Sequence, residues 1–162
     1  MKSKILSFLV VTICIVPLEL SAEAHGSDSG LKLSQPVLEL LREEMREVTV
    51  GVQELAPAIA TGDWAFVEST SSKIRKSYIM EKKLTAAQSK ELEGALPDQF
   101  KRIDAEFHAR AEKLGAAAAS HDAELAIYHY TRMLESCTQC HARFAPARFP
   151  GFVSPAQDGH RH

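Results

Sequence analysis

One long run of the chain repeats apolar side chains at alternating steps of three and four residues. The positions are Leu38, Leu41, Met45, Val48, Val52, Leu55 and Ile59. Because an α-helix turns once every ~3.6 residues, this spacing places all of them on one helical face. We therefore predict an amphipathic first helix that begins at Ser34, whose hydroxyl can cap it, and ends at Gly62.

The same kind of pattern predicts three further long helices. The second covers about 64–81, the third opens at Pro97, and the fourth covers about 122–144. Amphipathic helices joined by short connections pack as bundles that bury their apolar faces. The expected fold is therefore all-α, an antiparallel up-and-down four-helix bundle over residues 34–145, with its chemistry near the C-terminal end.

The second helix and the linker after it carry more specific signals. Thr85 and Gln88 match a capping box, so a short helical piece is expected in the linker, up to Gly94. The residues expected on the inner face of the second helix are Val67, Ser71, Ile74 and Tyr78.

Composition and charge narrow the class of protein. The chain has 162 residues, 45% of them apolar and 25% charged, which suits one globular domain. Aromatic residues reach only 7%, and strand-like alternation of Val, Ile and Thr is scarce, so an all-β fold is not expected. A net charge of −2 leaves no basic surplus to meet phosphates, so we expect no nucleic-acid partner.

The first 24 residues have the order of a secretory signal peptide. Lys2 and Lys4 precede an apolar run over 5–16, and Ala22-Glu23-Ala24 offers a small-x-small cleavage site. The run is shorter than the ~20 residues that span a bilayer, so no stable membrane insertion is expected. We predict export to the periplasm and a division into a cleaved signal peptide (1–24), a flexible N-terminus (25–33), the helical domain (34–145) and a C-terminal tail (146–162).

Cleavage of this leader removes Cys14 and leaves two cysteines, Cys137 and Cys140. They stand in the sequence Cys-Thr-Gln-Cys-His, which is the attachment signature of c-type haem. Each thiol adds across one vinyl group, and the two-residue gap brings both sulfurs to the same porphyrin edge. The imidazole of His141 can then bind the iron as the proximal ligand. We expect one covalently attached haem c.

Two other chemistries use a Cys-x-x-Cys pair. A redox pair needs a thiolate, usually at a helix N-terminus, whereas Cys137 and Cys140 lie near a predicted helix C-terminus, where the dipole disfavours thiolate. A zinc site needs four ligands, and the chain has no second cysteine pair. Haem attachment is therefore the preferred interpretation.

With these features the chain resembles the cytochrome c-prime family, the class II c-type cytochromes, over roughly 33–144. The resemblance rests on the haem motif and on helical matches, namely Arg42, Met45, Gly62-Asp63, Phe107-x-Ala109-x-Ala111-x-x-Leu114 and Cys137-Thr-Gln-Cys140-His141-x-x-Phe144. It implies a four-helix monohaem protein whose distal haem face looks at the first helix. The linker before the third helix and the aromatic tail after Phe144 depart from the family pattern.

The sixth iron ligand decides the function. Met45 lies on the predicted core stripe, and low-spin members of the resembled family use a first-helix methionine, so Met45 is the first candidate for the distal ligand. The alternatives are a core-packing role for Met45 with no strong protein ligand, or ligation by His108.

Two functions remain open for such a cytochrome. The first is transfer of single electrons between redox partner proteins, with His141 and Met45 as axial ligands. The second is a five-coordinate haem protein that binds NO or CO. In both cases the protein holds and tunes the iron, and we do not expect an enzyme. Pairing of the first two helices into a homodimer stays open.

Overall fold

A computed structural model describes residues 30–152 of the chain. The predicted signal peptide, residues 25–29 of the predicted N-terminus and residues 153–162 of the tail lie outside the described residues. Within 30–152 the secondary structure is entirely helical. The helices are α1 (Gln35–Thr61), α2 (Trp64–Arg75), α3 (Met80–Lys83), α4 (Ala86–Ala95), α5 (Asp98–Ala119) and α6 (Ala123–Phe144), followed by a 3-10 turn (Pro150–Phe152).

Three helix ends follow the capping signals of the sequence, but the predicted cap at Ser34 is wrong: its hydroxyl donates to the Glu91 carboxylate over 2.9 Å and makes no capping bond to α1. Gly62 closes α1 with a left-handed φ of 72°, a conformation that glycine adopts without a Cβ penalty. The Asp63 carboxylate accepts a hydrogen bond from the backbone of Phe66 and caps α2. Thr85 and Gln88 form the predicted capping box of α4, because each side chain bonds the backbone of the other. The predicted short helical piece in the linker is confirmed.

The predicted extent of the second helix is wrong, because α2 ends at Arg75 instead of near residue 81. Ser77 has a φ of 60°, which a continuing α-helix cannot contain. The backbone N–H groups of Tyr78, Ile79 and Met80 donate to the Glu44 side chain of α1 rather than to carbonyls of the preceding turn. A short α3 then begins on this anchored loop.

The core lies where α5 packs against α2 and α6, while α1 packs against α2 and makes fewer contacts with α6. Leu55, Ile74, Leu114 and Met133 are fully buried there. These contacts are compatible with the predicted bundle. No helix within residues 30–152 combines the length and the apolar character needed to cross a membrane.

Candidate haem-attachment site

The two cysteines lie in the last turns of α6, as the sequence predicts. Cys137 and Cys140 are both free, and each is partly buried. Residues three apart on a helix share one face, with Cβ atoms ~5–6 Å apart. Both sulfurs therefore point toward the same side of α6 and are available for two bonds to one planar group.

Burial disfavours ionisation of both thiols. Desolvation raises the pKa of the Cys137 thiol. Desolvation raises the pKa of Cys140 to about 11, with smaller contributions from the Asp104 carboxylate and from the repulsion that a Cys137 thiolate would exert. A disulfide-exchange nucleophile needs the opposite change, because the thiolate is the reactive form. The surroundings of this pair thus disfavour the redox alternative.

His141 follows Cys140 and lies in the last turn of α6. Burial, aided by the positive charge of Arg148, lowers the pKa of its imidazole and so favours the neutral form that can bind a metal. The ring stacks on Phe149, with centroids 4.1 Å apart and planes 8° apart. The tail after α6 is therefore packed back onto the histidine.

Apolar clusters border both thiols. Cys137 packs against the main core cluster, to which Val48 and Phe107 belong. Cys140 packs against a second cluster at the end of the molecule, where the rings of Phe100 and Phe144 meet edge to face at 5.3 Å. This environment suits the apolar edge of a porphyrin.

The prediction that Met45 lies in the core is wrong. Leu38, Val48, Val52 and Leu55 of the predicted stripe are buried, but Met45 is 37% exposed. The neighbouring Glu44 takes the inward position and is only 3% exposed. A core-packing role for Met45 loses support from this placement, because the side chain does not fill the interior.

Met45 lines a small cavity between α1, α5 and the α2–α4 segment. The cavity holds about 190 Å³, and its walls are largely apolar. Val48 and Phe107 in its wall belong to the cluster that packs Cys137, and Leu96 and Phe100 belong with the cluster that packs Cys140. Neither cysteine nor His141 lines the cavity itself. Val48, Leu96, Phe100 and Phe107 therefore link the surroundings of the thiols with the cavity beside Met45.

His108, the alternative distal ligand, also lines this cavity, but both nitrogens of its ring already have partners within the domain. Its Nδ1 donates to the carbonyl oxygen of Ile74 over 2.8 Å, and its Nε2 lies 3.7 Å from the Asp104 carboxylate. The interaction with Asp104 raises the pKa of His108, and burial opposes this only in part. Ligation by His108 would have to compete with both contacts.

Glu44 is a prominent residue of this wall that the sequence reasoning missed. Its carboxylate accepts hydrogen bonds from the backbone N–H groups of Tyr78 (2.9 Å), Ile79 (2.6 Å) and Met80 (3.1 Å). Such charge-assisted bonds compensate the cost of burying a carboxylate. A signal did exist, because Glu44 stands three residues after Leu41 and four before Val48 and so fits the helical spacing as well as Met45 does.

Comparisons of the chain with protein-family models, curated proteins and solved structures give no match. Within residues 30–152, no group of three or more His, Cys, Asp or Glu side chains is arranged to hold a metal ion.

Proposed function

We propose that this chain is a periplasmic c-type monohaem cytochrome of the four-helix, c-prime-like class that carries single electrons between redox partner proteins. One observation carries the proposal. Two unpaired thiols lie one turn apart on the same face of α6, and the imidazole of His141 follows the second directly. The donor set fits a haem c and fits the competing chemistries poorly.

Each residue of the motif has a separate role in this proposal. Cys137 and Cys140 hold the porphyrin through thioether bonds, and His141 binds the iron. The haem, when bound, supplies a ferric/ferrous couple for one electron. The chain contributes orientation, exclusion of water by the apolar clusters, and tuning of the iron through its ligands.

The cavity beside Met45 is the candidate for the distal side of the site, and it is small. Small-molecule sites usually hold ~300–1,000 Å³, and the cavity beside Met45 holds only about 190 Å³. Met80, Leu84 and Leu92 line it from residues 76–95, the segment that connects α2 to α5 and contains the two short helices α3 and α4. Met45 stays the first candidate for the distal ligand, because it lines the cavity whose walls include Phe100 and Phe107 of the two clusters that border the thiols.

A second function, binding of NO or CO at an open sixth position, is favoured by one specific observation. The cavity walls near Met45 are mainly apolar, and the one imidazole among them is hydrogen-bonded to Ile74. Such a pocket accommodates a small neutral gas without offering a strong protein ligand. The spin state of the ferric protein distinguishes the two functions.

The experiment is periplasmic expression of the full chain together with haem-attachment machinery, followed by an alkaline pyridine haemochrome spectrum. We expect a c-type haemochrome that survives denaturation in the wild-type chain, since thioether bonds are covalent. The matched control, the Cys137→Ser/Cys140→Ser double variant, should lose all covalently bound haem. A wild-type chain without a haemochrome would overturn the proposal.

A further inference from the structure

The tail after α6 turns back instead of leaving the domain. The backbone N–H groups of Arg148 and Phe149 both donate to the carbonyl oxygen of Ala145 over 3.1 Å. The N–H of Phe152 then donates to the carbonyl oxygen of Phe149, also over 3.1 Å, and closes the 3-10 turn. This local geometry places the Phe149 ring face to face with His141.

Within the described part of the chain, the stack on Phe149 is the contact that orients the imidazole ring of His141. No hydrogen bond to either ring nitrogen is formed by residues 30–152, and the carbonyl oxygen of His141 is engaged only through the backbone N–H of Ala145. Metal-binding histidines almost always donate their second N–H to a carboxylate, a backbone carbonyl or water, which fixes the plane of the ring. The second side-chain torsion of histidine is broad when nothing fixes it.

We propose that Phe149 is the positioning residue of the proximal ligand, and that its stacked ring sets the plane of the His141 imidazole. The inference rests on the proposed function. A parallel ring at 4.1 Å opposes rotation of the imidazole, because turning it would lift one ring edge away from the phenyl face.

The orientation of an axial imidazole determines how its orbitals meet those of the iron. Restricting the ring to one plane gives a single ligand field, whereas a freely turning ring gives a distribution of them. Loss of the stack should therefore alter the ferric electron paramagnetic resonance spectrum and the haem-methyl shifts, which together form the electronic signature of the iron. Both thioether bonds should stay intact. A merely structural role for Phe149 would change stability without changing that signature.

The test compares four holoproteins: wild type, Phe149→Leu, Phe149→Tyr and Phe152→Leu. Leucine keeps apolar volume but removes the ring, tyrosine restores a ring, and Phe152 is the control because it lies in the same turn, 6.4 Å from Phe149, and is exposed. The readouts are ferric electron paramagnetic resonance, the haem-methyl shifts in proton magnetic resonance, the reduction potential and thermal unfolding.

We expect Phe149→Leu to broaden the electron paramagnetic resonance signal, to narrow the spread of the haem-methyl shifts and to shift the reduction potential. The Phe149→Tyr and Phe152→Leu variants should stay close to wild type in all three readouts. An unchanged signature in Phe149→Leu would overturn the inference while leaving the cytochrome proposal intact. A change of equal size in Phe152→Leu would overturn it as well. Absence of covalent haem from the wild-type chain would instead overturn the proposed function on which it rests.

Discussion

The two walls of the candidate site are built in different ways. The α6 wall consists of five consecutive residues, Cys137 to His141, together with a ring that reaches back from Phe149. The second, distal wall is that of the cavity beside Met45, and it joins residues far apart in sequence. Glu44 of α1 binds the backbone at 78–80, and His108 of α5 binds the carbonyl of Ile74. The first wall is a local motif, and the second depends on tertiary packing.

This difference indicates which residues can be substituted without loss of haem attachment. Helical geometry alone brings both thiols and the imidazole to the end of α6, so the donors are in place in the folded helix. The distal wall requires α1, α5 and the α2–α4 segment to meet correctly. Substitutions in the distal wall should therefore affect stability and iron ligation, but not the attachment of haem.

The largest expected effect on stability is that of Glu44→Ala. The change removes a buried carboxylate and leaves the backbone N–H groups of residues 78–80 without their acceptor. We expect a loss of about 3–5 kcal/mol in the free energy of unfolding, measured by urea denaturation monitored by circular dichroism.

Glu43→Ala is the matched control for this prediction. Glu43 is the adjacent residue, and its partly exposed side chain pairs with the exposed Lys83 over 2.6 Å. An exposed pair of this kind contributes less than about 1 kcal/mol. Equal losses in the two variants would contradict the role assigned to Glu44.

Met45→Ala has a smaller effect on stability but a specific effect on the iron. Because Met45 is 37% exposed, the loss should be about 1–2 kcal/mol, below that of a buried methionine. If Met45 is the distal ligand, the ferric absorption spectrum changes from low-spin to high-spin while the haem stays covalently attached. Val50→Ala, at an exposed position of the same helix, is the control. A high-spin wild-type spectrum that Met45→Ala leaves unchanged would favour the gas-binding function.

The smallest effect is a pH dependence at His108. Its pKa is raised in the folded chain by the Asp104 carboxylate, with a smaller effect of Glu44. The protonated ring therefore stabilises the fold at pH values below its ordinary pKa of 6.5, and this contribution is lost as pH rises through the folded-state pKa. The stability difference between wild type and His108→Gln should decrease between about pH 5 and pH 8, by less than about 1 kcal/mol. A difference that grows with pH would contradict this account.

The sequence predicted the helical class, the extents of α1 and α6, the start of α5 and the capping box at Thr85, because each depends on local spacing. It did not predict the end of α2. That boundary is set by the bonds from 78–80 to Glu44, more than thirty residues away in the chain.

The same limit explains the error at Met45. Two adjacent residues, Glu44 and Met45, fit the three-and-four spacing between Leu41 and Val48 equally well. Hydrophobicity favoured the methionine, whereas the structure buries the glutamate because three backbone donors meet it. For the same reason, the stack of Phe149 on His141 could not be read from the tail, since the turn at 145–149 decides where the ring lies.

The most direct test of the central claim is mass spectrometry of the tryptic peptide 133–143 from periplasmically expressed chain. Trypsin cleaves after Arg132 and Arg143, so this peptide contains Cys137, Cys140 and His141 and no other cysteine. The account predicts that the peptide is recovered with the mass of one haem added, and that this mass withstands reduction by a thiol reagent. Recovery with two free thiols, or with a disulfide that the reagent reduces, would contradict it.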